Sequence, residues 1–508
     1  MASLTFYGGA RELGGNRFLL EDNGTKVLLD FGVNFERIGR YYRFPHAPQK
    51  FKALAINMKL GIYPPLDTPQ LDFRGVYRQD YLRRMDVEPL EQPAIDAVVL
   101  SHAHLDHASG IHYMRPDIPV WMDRHTKRIL YAMQQTSSAL FNEFLDFSYK
   151  YATAPSARRD GDVWLQGDVV RIPREIKLFR PPEPFTIGSL KLEPFYVDHS
   201  LPGSCAFIIH TSAGPVVYTG DLRIRGRRPE DTEKFVQAAA ACKPSYLLCE
   251  GSLIDKPHVG TEDGIIDAVT KEIAKRPGLI IVSYPPRDLD RIETFHRIAK
   301  KTKRRLAVDA RQAFLLEVFD GDMGYPKMSY AHMGVFLTKK GKGTLDEDYP
   351  EDFQERDYIG WERPYIEHKN RVTIEEIREN PGKFILCAAP ARVPDLMELA
   401  PLPEGSMYIR SHPEPYTEEM ELDERILENW LDAFGIREEG RDLFGSEKPC
   451  KLPQVHVTGH MSMQETTELI RRINPRTLVP VHTAFPEIMA QSFKGEVETV
   501  EPGQTLEL

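Results

Sequence analysis

Three histidines and one aspartate fall within six consecutive positions of the segment SHAHLDHASG, residues 101–110. The apolar run IDAVVL precedes them and predicts a buried strand. On extended backbone, side chains alternate between faces, so His102 and His104 lie on the same side and can bind one metal. If a helical turn begins next, Asp106 and His107 face a neighbouring point, where a second metal about 3.5–4 Å away can bind.

Three further candidate ligands follow predicted strands elsewhere in the chain. His199 lies in VDHSLPG, Asp221 in VYTGD and His482 in VPVH. A histidine at the end of a strand is ordinarily a satisfied surface residue, but the cluster at 102–107 changes this expectation, because two adjacent cations need more than four ligands and a bridging anion. In the alternative, the imidazoles only satisfy one another in a core, and several polar groups are buried without evident partners.

The composition limits the class of protein. The chain has 508 residues, enough for two domains, and a formal net charge of −10. A polyanionic substrate therefore requires a local basic surface, for which RIRGRR at 223–228 and KKTKRR at 300–305 are candidates unless both are merely solvated faces. No run approaches the roughly 18 apolar residues of a membrane helix, so we expect a cytoplasmic protein without a membrane partner.

The cysteines bear on the chemistry of the metal site. There are five, with no C-x-x-C pair, which argues against both a disulfide framework and a thiolate zinc site. Any metal is therefore expected to bind nitrogen and oxygen. Histidine and carboxylate ligands suit zinc and also manganese.

The elements that must position these residues are strand-rich at first. Residues 3–33 predict antiparallel strands with a hairpin turn at Asn23-Gly24, and further strands are predicted at 191–198 and 205–219. Residues 34–93 are rich in Arg, Tyr, Pro and Asp, and predict a long, partly helical surface insertion. A helix is predicted from about Asp123.

After Pro229 the pattern changes to alternating strands and helices, which predicts a parallel α/β unit. Residues 319–380 and 400–450 are irregular and acidic. Near the end, QVHVTGH predicts a strand, SMQETTELIRRI a helix and TLVPVH another strand. Ser462 and Glu465 form a capping-box pattern that begins the helix just after His460.

The pattern H-x-H-x-D-H after a buried strand, with a later strand-end histidine and T-G-D, resembles the metallo-β-lactamase fold. The resemblance implies an αββα sandwich in which His102, His104 and His199 bind one zinc, Asp106 and His107 bind the other, and Asp221 lies between them. It also implies that Asp30, in LLDFG, supports the ligands from behind.

Two other segments resemble the β-CASP nucleic-acid-processing branch, with spacing close to that of ribonuclease J-like enzymes. Glu250 in YLLCEGS resembles the acidic motif that opens the β-CASP insertion, and the closing segment implies His460 as a catalytic histidine and His482 as the last ligand of the second zinc. The implied fold class is α/β: residues 1–228 form the first part of the metallo-β-lactamase domain with the insertion at 34–93, 229–450 form the β-CASP domain, and 451–508 close the first domain.

The resulting hypothesis is a two-metal phosphodiesterase that hydrolyses RNA as an exonuclease, an endonuclease or both. A metal-bridging hydroxide is the nucleophile, His460 is the general acid, Glu250 orients it, and Asp106 is counted among the catalytic residues. The helix start at Ser462 is a candidate phosphate site. The expected cofactors are two Zn²⁺, with Mn²⁺ as the alternative.

Other functions remain open from the sequence. The first is a DNA nuclease, because the site chemistry does not depend on the 2′-OH, although RNA is preferred as partner. The fold also hosts thioester and lactone hydrolases, and an inactive scaffold is a third possibility. A homodimer is compatible with the sequence but not implied by it.

Overall fold

A computed structural model describes residues 2–43, 45–48, 52–137, 142–155, 162–256, 260–337, 340, 345, 349, 357–358, 360–413, 415, 418–440, 452 and 455–508. Within the ranges 149–155 and 162–169 only the backbone is described. The predicted domain boundary between residues 450 and 451, and Cys450, lie outside the described residues.

The strands form three seven-stranded sheets and one two-stranded sheet. In chain order they are β1 Ala2–Gly8, β2 Arg17–Asp22, β3 Thr25–Leu29, β4 Ala97–Val99, β5 Val120–Asp123, β6 Asp146–Pro155, β7 Asp162–Pro173, β8 Ile176–Phe179, β9 Phe185–Ile187, β10 Leu190–Tyr196, β11 Cys205–Thr211, β12 Gly214–Tyr218, β13 Tyr246–Glu250, β14 Ile280–Ser283, β15 Arg305–Asp309, β16 Met333–Phe336, β17 Arg371–Val372, β18 Phe384–Cys387, β19 Met407–Arg410, β20 Arg437–Glu439, β21 Thr477–Val481, β22 Glu496–Val497 and β23 Thr505–Glu507.

The described α-helices are α1 Phe35–Gly39, α2 Ala53–Lys59, α3 Gln79–Arg83, α4 Leu105–Ala108, α5 Arg124–Thr136, α6 Pro229–Cys242, α7 Glu262–Ile273, α8 Leu289–Thr302, α9 Ala310–Phe319, α10 Ile374–Glu379, α11 Glu418–Ala433, α12 Met463–Ile473 and α13 Pro486–Ser492. Short 3₁₀ helices cover Phe73–Gly75, Ser109–Tyr113, Asp322–Gly324, Arg363–Tyr365, Pro381–Lys383 and Pro390–Leu399. No helix among the described residues has the length and apolar character needed to cross a membrane.

Two of the seven-stranded sheets pack face to face. Their strand orders are β23-β1-β2-β3-β4-β5-β8 and β22-β21-β13-β12-β11-β10-β9. Phe6 and Phe18 from the first sheet share one buried cluster with Phe207, Tyr218 and Leu248 from the second. Helices cover both outer faces, as α5 packs on the first sheet and α6 and α12 pack on the second. The predicted αββα sandwich is confirmed.

The segment 34–93 differs from its prediction as a surface insertion. Leu54, Val76, Tyr77 and Leu82 are each 0% exposed and pack in the same cluster as the outer face of the first sheet. Arg78, also buried, pairs with Asp80 at 2.8 Å within the segment and with Glu143 at 2.5 Å outside it. The segment is therefore part of the helical layer of the sandwich, and the prediction was wrong.

The third sheet belongs to the inserted α/β unit, with strand order β17-β16-β15-β18-β14-β19-β20. All its pairings are parallel, and helices lie on both of its faces. The predicted start of this unit at residue 229 differs from the structure, since α6 packs on the second sheet and β13 pairs within it. The parallel sheet begins only at Ile280.

The predicted turn and helix start were correct where the residues that determine them are close together in the sequence. Asn23 and Gly24 have φ values of 48° and 80° and join the antiparallel strands β2 and β3. Asp123 caps α5. Two predictions were wrong: the regions 319–380 and 400–450 contain β16, β19 and α11 among their described residues, and residues 455–460 of QVHVTGH form no strand.

Candidate metal centre

The candidate ligands lie beyond the carboxyl ends of strands at one edge of the sandwich. Residues 102–107 follow β4, His199 follows β10, and Asp221 and His482 follow β12 and β21. Strands β12, β13 and β21 are mutually parallel, so the residues after them arrive at the same edge. Chain topology thus brings together side chains that are up to 380 positions apart.

The first ligand group contains His102, His104, His199 and Asp221. His104 Nδ1 lies 2.9 Å from His102 Nε2 and 3.1 Å from His199 Nε2. His199 Nδ1 donates a hydrogen bond to the Gly459 carbonyl at 2.6 Å, which leaves the lone pair of Nε2 for a metal. A Cβ at residue 459 would lie 2.5 Å from the His199 ring, so this close approach requires glycine.

The second ligand group contains Asp106, His107, Asp221 and His482. His104 is the N-cap of α4, so the chain turns after it as predicted and carries Asp106 and His107 away from the first pair. Asp221 Oδ2 lies 3.2 Å from His107 Nε2, and its Oδ1 lies 3.0 Å from His482 Nδ1. One carboxylate, Asp221, therefore belongs to both groups.

Asp30 holds the ring of His107 on the side away from Asp221. Its Oδ2 accepts a hydrogen bond from His107 Nδ1 at 2.7 Å, and its Oδ1 accepts one from the Ser101 amide at 2.7 Å. The hydroxyl of Tyr218 donates to the same carboxylate at 2.6 Å. These contacts orient Nε2 of His107 towards Asp221.

A neighbour of the second group was missed by the sequence analysis. Asn16 is buried just before β2, and its amide nitrogen lies 3.1 Å from His482 Nδ1 and 3.2 Å from the Tyr218 hydroxyl. A single asparagine in a glycine-rich loop carries no ligand pattern. The position of Asn16 directly before a buried strand was the only available signal.

The protonation states fit a cation site. Burial lowers the pKa of His104 to about 4 and takes the pKa of His102 and His199 well below the ordinary value, so all three imidazoles are neutral. Burial opposes the ionisation of Asp221, but the neighbouring His107 and His482 outweigh it and hold its pKa well below the usual range. In the first ligand group, neutral imidazole nitrogens thus lie beside an ionised carboxylate, a donor set that zinc or manganese takes. In the second group the Asp221 and Asp30 carboxylates, against the effect of burial, hold the pKa of His107 above its ordinary value, so a cation there would replace its proton.

His460 and Glu250 lie beside both ligand groups. The His460 ring centroid is 5.3 Å from that of His199 and 5.8 Å from that of His482, and His460 Nδ1 lies 3.1 Å from Glu250 Oε1. The amide of Ser252 donates to Glu250 Oε2 at 2.9 Å and fixes that carboxylate. Burial lowers the pKa of His460, but the Glu250 carboxylate, together with Asp221 and Asp106, outweighs burial and raises it to about 9.

The predicted phosphate site at Ser462 is wrong. Ser462 is 2% exposed, and its hydroxyl lies 2.9 Å from Glu465 Oε2 in the capping box. The amide of Ser462 donates to Glu465, and the amide of Met463 donates to the Lys256 carbonyl at 2.8 Å. The start of α12 is therefore occupied by the chain's own groups.

The predicted basic surface at 223–228 is also wrong. Arg223 is 2% exposed and pairs with Asp198 and Asp290, while Arg225 pairs with Glu465. In the run 300–305 the lysines are exposed, but Arg304 is buried and donates to backbone carbonyls.

Two family models match the chain over the segments that build this centre. The Beta-lactamase superfamily domain matches residues 68–242, and the Zn-dependent metallo-hydrolase RNA specificity domain matches residues 447–501. The first match contains six of the seven candidate ligands, and the second contains His482 together with His460. The chain is a metallo-hydrolase of the metallo-β-lactamase fold.

Comparison with individual proteins narrows the class of metallo-hydrolase to which the chain is similar. Ribonuclease J of Pyrococcus abyssi is 21% identical, over 96% of this chain and 90% of that protein. Ribonuclease J of Mycolicibacterium smegmatis is 22% identical over 64% of this chain, which spans about half of that protein (47%). A crystal structure of a protein of unknown function from Enterococcus faecalis V583 shares the fold, with a TM-score of 0.69, 22% identity and coverage of 100% of both chains. The chain is a ribonuclease J-like, metal-dependent hydrolase of the β-CASP group.

Proposed function

We propose that the chain is a ribonuclease that hydrolyses phosphodiester bonds with two divalent cations, zinc or manganese, held by the two ligand groups. The observation that carries the proposal is that Asp221 belongs to both groups, since a pair of adjacent cations needs a shared anion. RNA is the proposed substrate because the matching closing domain is described as an RNA specificity domain and the relatives are named ribonuclease J.

When bound, two such cations lower the pKa of a water molecule towards 7 and neutralise charge on a phosphoryl oxygen. The chain supplies the remaining proton chemistry. Glu250 engages Nδ1 of His460 and favours its protonated form, which leaves Nε2 to donate a proton to the leaving oxygen. Asp106, with 18% of its side chain exposed, is the more accessible carboxylate of the two groups and orients the attacking water.

The inserted domain supplies positive charge for the RNA backbone. Arg287 follows β14, and Arg311 lies in the first turn of α9 after β15, so both are at the carboxyl ends of parallel strands. Ligands of open α/β sheets bind at this edge. Besides burial, the charge of Arg287 contributes to the lowered pKa of His104, which indicates that the guanidinium is close to the first ligand group. We expect Arg287 and Arg311 to contact phosphates.

The test measures zinc content and cleavage of end-labelled RNA and DNA of one sequence in parallel. His460→Ala is expected to keep both metals and lose most hydrolysis, whereas Asp221→Ala is expected to lose metal. His210→Ala serves as the matched control, because His210 lies on β11 away from the ligands, with 41% of its side chain exposed, and should change neither quantity.

The outcomes separate the parts of the proposal. Full activity in His460→Ala removes the assignment of the general acid. Equal cleavage of both polymers removes the preference for RNA, which requires contacts to the 2′-hydroxyl. A metal-loaded chain that cleaves neither polymer contradicts the proposed function.

A further inference from the structure

One carboxylate of the inserted domain lies at the centre of a buried ionic cluster. Asp290, in the first turn of α8, is 0% exposed. It accepts hydrogen bonds from Arg223 at 2.7 Å, from both terminal nitrogens of Arg228 at 3.0 Å, and from the Tyr325 hydroxyl at 2.6 Å. Arg223 and Arg228 of the first domain thus share one counter-ion, Asp290 of the inserted domain.

Each of these arginines also holds backbone next to a candidate ligand. Arg228 donates to the carbonyl oxygen of His199 at 3.0 Å. The Arg223 amide donates to the carbonyl of Asp198, the residue before His199, at 2.7 Å, and its guanidinium donates to the Thr458 carbonyl at 3.3 Å. Thr458 precedes Gly459, whose carbonyl fixes the tautomer of His199.

Arg291, the next residue of α8, contacts the segment that precedes Thr458 and Gly459. Arg291 is 0% exposed and donates to the carbonyls of Val455 and Val457 at 3.4 and 3.2 Å. The first turn of α8 therefore contacts the segment 455–457 directly, through Arg291, and the segment 198–199 indirectly, through the two arginines bound to Asp290. These contacts connect the inserted domain with the edge of the sandwich at which the candidate ligands lie.

We propose that Asp290 is a positioning residue that couples the inserted domain to the first metal site, by holding Arg223 and Arg228 where they fix the backbone on both sides of His199. The inference rests on the metal pair of the proposed function. It assigns the inserted domain a part in metal binding in addition to any contact with RNA. Among the described residues, no arginine bound to Asp290 contacts the backbone beside His107 or His482. The affinity of the second metal site should therefore depend less on Asp290.

The experiment is a competitive zinc titration of the full, metal-depleted chain against a chromophoric chelator, which gives the number of bound zinc ions and their dissociation constants. In Asp290→Asn, one zinc is expected to bind about 10- to 100-fold more weakly, the usual effect of removing support behind a ligand. The other zinc is expected to bind as in the unmodified chain.

Asp290→Asn removes the counter-ion of Arg228 and leaves Arg223 with Asp198 and Glu262, so a second variant keeps the test valid if the first does not fold. Arg228→Lys retains the charge opposite Asp290, but a lysine cannot reproduce the fork that reaches both Asp290 and His199. This variant should weaken the binding of the same zinc ion. Tyr325→Phe is the control within the cluster: it removes a hydroxyl that donates to Asp290 and accepts from Arg228 at 2.9 Å, keeps both arginines on Asp290, and should weaken zinc binding less than Arg228→Lys does.

Unchanged zinc affinities in the folded variants would overturn the inference. A loss of equal size in Tyr325→Phe would also overturn it, because general loosening of the cluster would then explain the effect. An unmodified chain that binds fewer than two zinc ions contradicts the proposed metal pair instead. Zinc affinity is read without any cleavage assay, so the two failures are distinguishable.

Discussion

Replacing Glu250 by glutamine should change the pH dependence of cleavage rather than only its rate. Against the lowering effect of burial, Glu250 is the main group that raises the pKa of His460 to about 9, with smaller contributions from Asp221 and Asp106. A histidine with raised pKa keeps its proton below that value and loses it as the pH rises through it. The unmodified chain should therefore lose general-acid catalysis only above about pH 9.

The size of the effect follows from the protonated fraction of His460. At pH 7.5 a pKa of about 9 leaves about 97% of His460 protonated, whereas an ordinary value of about 6.5 leaves about 9%. Glu250→Gln is expected to bring the pKa of His460 down towards its ordinary value, so cleavage at pH 7.5 should fall by up to about 10-fold. At pH 6 the loss should nearly disappear.

The assay is single-turnover cleavage of end-labelled RNA between pH 5.5 and 9.5 at saturating metal, with zinc content measured on the same samples. Glu233→Gln removes an equal charge at a half-exposed site on α6 and should give the unmodified profile. If Glu250→Gln lowers cleavage by the same factor at every pH, Glu250 does not act through the proton of His460.

Three further changes test other parts of the structure. Arg287→Ala should weaken binding of single-stranded RNA and reduce its salt slope by about 0.7, the value for one phosphate contact. Fluorescence anisotropy at several salt concentrations measures this, and an unchanged slope would exclude the contact. Burial raises the pKa of Asp288 to about 7, so the unmodified chain, relative to Asp288→Asn, should lose about 3 kcal/mol of stability between pH 4 and 7. A melting-temperature difference that stays constant over this window would contradict the prediction. Leu54→Ala should lower stability by about 2–5 kcal/mol, whereas Phe35→Ala, at a 44% exposed position, should have little effect, as measured by chemical denaturation. Equal small effects would place residues 34–93 outside the core.

The residues of the candidate centre were identifiable from the sequence because their signals are local. Histidines two apart on extended backbone share a face, and a turn after His104 separates the second pair from the first. Residues that end strands arrive at one edge whatever their separation along the chain. The strand-end positions of His199, Asp221 and His482 made them candidates, and the cluster at 102–107 distinguished them from ordinary strand-end residues.

The wrong predictions share a physical cause. The charges of RIRGRR suggested a solvated surface, but their counter-ions Asp198, Asp290 and Glu465 come from distant parts of the chain. Likewise, Arg78 in the segment 34–93 is buried, and one of its partners, Glu143, lies outside that segment. A polar residue appears exposed in a sequence until its partner is known.

The positions of metal ions in crystals of the metal-loaded chain, located by anomalous scattering at the zinc edge, test the central claim most directly. We predict two peaks, one in contact with His102, His104 and His199 and the other with Asp106, His107 and His482, with Asp221 touching both. A single peak, or two peaks that share no carboxylate, would contradict the account.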